Sequence, residues 1–347
     1  MPDLRLSVLD QSPVAEGSTG SQALRNTIDL ARLADDLGYH RYWVAEHHGG
    51  PSLAGPSPEV LIGPIASATS RIRVGSGGVM LPHYSPLKVA QSFSLLAGLY
   101  PGRIDLGIGR AAGTDPMTTF ALQRDRRQAA SDDFPEQLAE LLAYFDGSFP
   151  DGHALGRYVA TLPGRPEAPD IWLLGSSPQS AIWAGELGLP YAFADFINPT
   201  GAEIAKLYRE RFEPSPRLQT QRTAVAVWAV CADTDEEAQR LASSSRMTLS
   251  LLRQGRLIPV PPPEKALRFL ESRPNGQGQP AGRRAVVGSP AKVRADLEEV
   301  ASQYGADEVV VVTITYDHDA RRRSYELIAE AFDLDAAPAA AGGTAAR

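Results

Sequence analysis

Two adjacent histidines, His47 and His48, follow an acid in "AEHH" (45–48), where the apolar run "YHRYWV" (39–44) comes to its end. An imidazole titrates near neutral pH, so a histidine at the end of a buried segment is a candidate proton donor or acceptor. Alternate residues of an extended chain face opposite sides. Trp43, Ala45 and His47 therefore share one direction, and Val44, Glu46 and His48 share the other. Only one histidine of the pair enters a given pocket. The competing reading makes both hydrogen-bonded structural residues. No metal site is expected: H-x-H and H-E-x-x-H are absent, and His40, His83, His153 and His318 are scattered.

The stretch "GSGGVMLP" sets Gly75, Gly77 and Gly78 among apolar neighbours. Glycine weakens a strand, and its usual justification is a bulge or the close approach of another backbone or a flat ligand. A barrel corner that must turn explains the same residues. In "LGIGRAAGTD" Arg110 stands just past an apolar strand, where an unpaired guanidinium is costly, so it should meet an acid or an anionic ligand. "LLGSSPQSA" adds Ser176, Ser177, Gln179 and Ser180 at a helix start whose free N–H groups favour phosphate. Ordinary capping by a serine remains the alternative there.

Other chemistries lack their residues. The lysines Lys88, Lys206, Lys265 and Lys292 do not fall at strand ends, which leaves Schiff-base chemistry without a nucleophile. Cys231 lies too early in its strand to react and reads as a small buried apolar residue. No G-x-S-x-G or P-loop occurs. A bed for a planar ligand, an anion cradle and a histidine together suggest a phosphorylated aromatic cofactor such as FMN.

Eight apolar strands must position these residues: 4–13, 42–46, 72–81, 103–109, 170–175, 190–196, 222–232 and 307–317. Helical spacing follows the first strand from a capping box at Thr19 and Gln22 to a stop at Gly38, and recurs over 58–69, 86–99, 132–145, 179–187, 201–212 and 321–333. Alternating strands and helices imply a parallel sheet buried on both faces. A closed α/β (β/α)8 TIM barrel fits best, and its active site lies at the C-terminal ends of the strands. A doubly wound sheet is the rival, but the turn "DQSPVAEGSTG" lacks G-x-G-x-x-G. The excess between strands seven and eight, 233–306, is expected as a lid or insertion within one domain spanning 1–335, with a disordered tail at 336–347.

The net charge of -7 argues against a dominant nucleic-acid footprint, and 43% apolar content describes an ordinary globular chain. No apolar run approaches a membrane span, no leader is evident and the lone cysteine suits a reducing compartment, so a cytoplasmic protein is expected. The helix faces at 58–69 and 86–99 could pair in a homodimer or higher homo-oligomer.

Four motifs, "WVAEHH", "IRVGSGGVMLPHYSPLKVAQSFSLL", "PGRIDLGIGR" and "GSSPQSA", occur in the order and spacing of the luciferase-like flavin monooxygenases, which the chain resembles over roughly residues 4–333. The resemblance is to the single-subunit branch. It implies a catalytic role for His47, a flavin ring resting on Ser76, Gly77 and Gly78 with a non-prolyl cis peptide at the bulge, and a phosphate held by Arg110, Gly175, Ser176, Ser177, Gln179 and Ser180. It also implies reduced FMN supplied by a separate flavin reductase, dioxygen added at the flavin C4a carbon, and oxygenation of a small organic or aldehyde-like substrate. Related members are deazaflavin-dependent dehydrogenases or reductases, or bind flavin without turnover, and these are the alternative expectations.

Overall fold

The computed structural model describes residues 4–110, 115–123, 126–127, 133–198, 200–272 and 284–335. Its strands are β1 (Arg5–Asp10), β2 (Arg41–Val44), β3 (Arg73–Met80), β4 (Ile104–Gly109), β5 (Asp170–Gly175), β6 (Tyr191–Ala194), β7 (Thr223–Cys231), β8 (Ala285–Gly288) and β9 (Glu308–Val312). The helices are α1 (Gly20–Asp36), α2 (Pro58–Ala68), α3 (Pro86–Leu99), α4 (Pro116–Leu122), α5 (Phe134–Asp146), α6 (Pro178–Glu186), α7 (Ala202–Glu210), α8 (Asp235–Leu252), α9 (Pro263–Glu271), α10 (Pro290–Tyr304) and α11 (His318–Ala331).

All strand pairings are parallel, and the sequence β1-β2-β3-β4-β5-β6-β7-β9 closes on itself as an eight-stranded (β/α)8 barrel. The strands alternate two apolar faces. Val8, Val44, Val74, Leu106, Leu173 and Val311 point outward beneath the helices, while Leu9, Trp43, Trp172, Ala224 and Val310 fill the interior. The first helix begins where the capping spacing places it, with Thr19 Oγ1 accepting from the Gln22 N–H at 3.1 Å.

The N-terminal end of the barrel is plugged by charge. Arg41 pairs with Asp105 at 2.8 Å and with Glu308 at 2.9 Å, and Arg73 reaches Asp105 at 2.6 Å and Asp170 at 2.9 Å. Burial alone would raise the Asp105 pKa, but Arg41, Arg73 and the Trp43 indole N–H override it and hold the carboxyl below its ordinary range. Gly75 is explained here. A Cβ on it would lie 2.6 Å from that of Asp105, so the glycine makes room for the plug.

The segment expected as a single insertion over 233–306 divides differently. Val293, Leu297, Val300 and Ala301 give α10 a buried face that packs on β7, α7 and α11, so this helix is the barrel's own crossover between β7 and β9. The excess is α8, α9 and β8. Strand β8, absent from the sequence reading, adds to the last four residues of β7 outside the barrel, Trp228–Cys231 pairing with Ala285–Gly288. It is only four residues long, too short for alternation to reveal. "IPVPPPEK" (258–265) crosses back to the loop after β1, where the Val260 N–H donates to the Val14 carbonyl at 2.8 Å and Lys265 meets Glu16 at 2.6 Å. The loop residues 111–114, the whole of "RPNGQGQPAG" (273–282) and the tail 336–347 lie outside the described residues.

Cys231, expected early in its strand, is instead the last residue of β7, because the strand ends there and not beyond it; it is buried, and burial pushes its thiol up to about 12. It remains a protonated packing residue at neutral pH. Among the described residues, no helix is long and apolar enough to cross a membrane.

Candidate active site

The end of β2 separates the two histidines as the alternation requires. Glu46, fully buried, accepts the Met80 backbone N–H at 2.9 Å through Oε2, and its Oε1 lies 2.8 Å from His48 Nε2. These contacts tie β2 to the end of β3. His47 turns the other way, its backbone N–H donating to the Gly55 carbonyl at 3.0 Å. Its side-chain Nδ1 is buried without a hydrogen-bond partner among the described residues. Burial, then the charge on nearby His48, lowers the His47 pKa to about 4, so the ring is neutral at neutral pH.

On the neighbouring strand β3 the wall of the barrel is formed by glycine. Gly77 pairs with Gly107 but Val79 pairs with Ile108, so Gly78 is the extra residue of a β-bulge, and the Gly77–Gly78 peptide is cis. A Cβ on Gly77 would come 2.5 Å from Leu9 Cδ1 and 3.0 Å from Trp43 Cβ. One on Gly78 would come 2.8 Å from both the Gly107 carbonyl oxygen and Leu174 Cδ1. Ser76 does not add a free donor: its hydroxyl is committed to the Gly107 carbonyl at 2.9 Å and braces the bulge from within the wall. Beneath this patch Trp43 and Trp172 meet edge to face with centroids 5.3 Å apart, and Phe196 stacks on Trp228 at 6.0 Å near the mouth. The patch, the aromatic floor and the unpartnered imidazole nitrogen fit a planar, hydrogen-bonding ring system.

The expected anion site is assembled from two elements. Arg110, exposed at the end of β4, lies 5.5 Å over the Trp183 ring of α6. Ser177 caps α6, accepting the Ser180 N–H at 3.3 Å, while the buried Ser180 hydroxyl donates to the Ser177 carbonyl at 2.8 Å and sits 3.0 Å from the Tyr191 hydroxyl. The serines at 177 and 180 therefore do the capping work that was the alternative reading. Gly175 is pressed against Ser180, whose Cβ an added Cβ would approach to 2.7 Å. Ser176 is half-buried and Gln179 exposed, both at the mouth of this helix start. The cluster fits a phosphate at the helix N-terminus with Arg110 alongside.

Sequence reasoning missed the aromatic floor, whereas Glu46 and His48, expected to hold the strand end in place, do so, and only the partner of Glu46 on β3, the Met80 N–H, came from the structure. Trp172 was visible in the alternation of "DIWLLG", but nothing near it in the chain named Trp43 as its partner. Among the described residues, no group of three or more His, Cys, Asp or Glu side chains is placed to hold a metal ion.

Comparison with known proteins agrees with this geometry. Residues 4–308 match the family model described as luciferase-like monooxygenase. The uncharacterised protein YwcH of Bacillus subtilis (strain 168) is 47% identical over 94% of this chain and 98% of its own. The N-acetyl-S-alkylcysteine monooxygenase of the same organism is 39% identical over 94% of this chain and 98% of its own. The crystal structure of apo-MsnO8 superposes with a TM-score of 0.88 at 44% identity, covering 96% of this chain and 99% of that one. More distant structures share the fold alone, among them the oxygenating constituent of 3,6-diketocamphane monooxygenase in complex with FMN (TM-score 0.70, 21% identity) and an F420-dependent secondary alcohol dehydrogenase (TM-score 0.62, 14% identity). A match over most of the chain, and relatives this similar along nearly their whole length, lead to one conclusion: the chain belongs to the luciferase-like monooxygenase family, and the protein is an oxidoreductase of the monooxygenase type.

Proposed function

We propose that the protein is a flavin-dependent monooxygenase that takes reduced FMN from a separate reductase and uses dioxygen to oxygenate a small organic substrate. The observation that carries this reading is the glycine bulge of Gly77 and Gly78 on β3, the strand paired with β2, together with the buried His47 Nδ1 that has no partner among the described residues. Gly77, Gly78, Leu9, Trp43 and Leu174 would receive the ring, and Arg110 with the start of α6 would hold the phosphate. When bound, the reduced flavin supplies two electrons and the activation of dioxygen. The protein's share is placement, proton handling and exclusion of water.

His47, neutral by burial, is suited to accept a proton or a hydrogen bond at Nδ1 and not to donate a proton from a resident imidazolium. Trp43 and Trp172 close the floor against water from below. Above, the α8–α9 excess is anchored across the mouth by the Val14–Val260 and Glu16–Lys265 contacts, as a cover over the site requires. The FMN named with the camphane enzyme, and that protein's description as an oxygenating constituent, support both the flavin and the separate reductase.

The test is an anaerobic titration with reduced FMN and, separately, reduced F420, followed by turnover under isotopically labelled dioxygen with an added flavin reductase. Preferential binding of reduced FMN and label in the organic product support the reading. Exclusive binding of F420 with turnover in the absence of oxygen would replace it with a deazaflavin-dependent dehydrogenase. Flavin binding without any turnover would leave a binding protein.

A further inference from the structure

A cavity of about 130 Å³ lies between α8, β8 and the last part of β7. Trp228 and Val312 line it and also pack into the barrel interior, so it adjoins the mouth above the Trp43–Trp172 floor. Its lining mixes apolar side chains with polar surface, to which α8 contributes Ser245 and Arg246 and β7 the Trp228 indole. On that helix Ala242, Arg246 and Leu249 fall on one stripe, so the arginine occupies a position where an apolar residue is expected. One guanidinium nitrogen donates to Gln239 Oε1, and among the described residues Arg246 forms no ion pair. Burial lowers its pKa, and no acidic neighbour opposes the shift.

Arg246 is half-buried, and apart from the bond to Gln239 its guanidinium donors are open to an anionic partner entering the cavity. The cavity has the size of one that accepts benzene, room for roughly six to eight non-hydrogen atoms. A short apolar chain ending in a carboxylate matches both its walls and its charge, because a guanidinium and a carboxylate pair through two parallel hydrogen bonds.

We propose that this cavity is a substrate subsite, in which Arg246 binds the carboxylate of a small organic acid and Trp228 and Val312 flank its apolar chain. The remainder of the molecule then enters the barrel mouth. The subsite deepens the monooxygenase reading and rests on it for its role in turnover, though not for binding itself. Phosphate is the other anion that Arg246 could meet, and the test separates the two.

Calorimetric titration of the full-length protein without flavin uses pentanoate and pentanamide, alike in shape and different in charge. Pentanoate is expected to bind about ten- to a hundredfold tighter, the worth of a charge-assisted hydrogen bond. Arg246→Gln should bring the ratio close to one, and Arg246→Lys should retain part of it. Ala285→Phe, at an exposed position that lines the cavity, should block both ligands and covers the case in which Arg246→Gln does not fold. Equal binding of the two ligands, no binding, or undiminished pentanoate binding in either Arg246→Gln or Ala285→Phe overturns the proposal. So does inorganic phosphate that displaces pentanoate from the wild type, combined with loss of the preference for FMN over riboflavin in Arg246→Gln. Because the readout needs no flavin, a failure to bind reduced FMN would count against the monooxygenase reading and leave the subsite standing.

Discussion

At neutral pH the His47 imidazole carries no charge, and its buried Nδ1 has no partner among the described residues. A group kept neutral and unsatisfied beside a cofactor bed is available to a reacting atom, whereas His48 is occupied by Glu46. We expect His47→Ala to leave flavin affinity within a few fold while turnover falls by roughly 10² to 10⁴, the range for a lost general base. Steady-state rates with saturating reduced FMN check this, and unchanged turnover removes the histidine from the mechanism. Arg110 makes a different prediction, since its partner should be the phosphate and not the ring. Arg110→Ala should weaken FMN more than riboflavin, about tenfold or more. Equal loss for both would refute a phosphate role.

At the scale of elements, the β3 bulge shapes the site. Gly75, Gly77 and Gly78 stand out together in the sequence, yet the structure gives them different tasks: Gly75 admits Asp105, while Gly77 and Gly78 leave room for the interior side chains of Leu9, Trp43 and Leu174. Gly78→Ala would press a methyl group against the Gly107 carbonyl and Leu174, and overpacking of this kind costs about 1–3 kcal/mol. A lower thermal midpoint together with weakened flavin binding is the expected result; a variant unchanged in both would mean that the wall yields. The helix starts at Thr19 and Ser177 were legible because a cap is a local pattern of a few residues. Strand β8 was not, because what makes it a strand is the edge offered by β7, more than fifty residues earlier in the chain.

Across the whole molecule, ionisable groups are buried at both ends of the barrel, and folding shifts their titration. Burial lowers the pKa of His40 to about 4, assisted by the charge of Arg41, and His47 is lowered to about 4 as well, from 6.5 in an ordinary setting. Between those values the unfolded chain takes up protons that the folded chain refuses. Their stabilising effect is therefore complete above about pH 6.5 and is lost as pH falls toward 4. The urea midpoint should decline between about pH 7 and pH 4.5, and less steeply in the double variant His40→Gln, His47→Gln. A wild-type midpoint that stays level over this interval would contradict neutral burial of the two rings. Below that window, Asp10 and Asp105 add a second loss, since burial raises their pKa but paired arginines lower it further.

The sequence by itself determined the alternation of strands and helices, hence the barrel, and the direction of His47 at the end of β2. It also carried the family motifs. These depend on residues close together in the chain, where period and capping act directly. Tertiary structure alone decided what each side chain meets. Arg41 joins Glu308 across 267 positions, Asp105 gathers two arginines and a tryptophan, and Ser76 spends its hydroxyl on Gly107. Only closure of the barrel brings those groups together, and only the packing of α8 against β7 and β8 leaves Arg246 facing a cavity without a carboxylate. A partner across the fold is set by register and burial, and no local spacing encodes it.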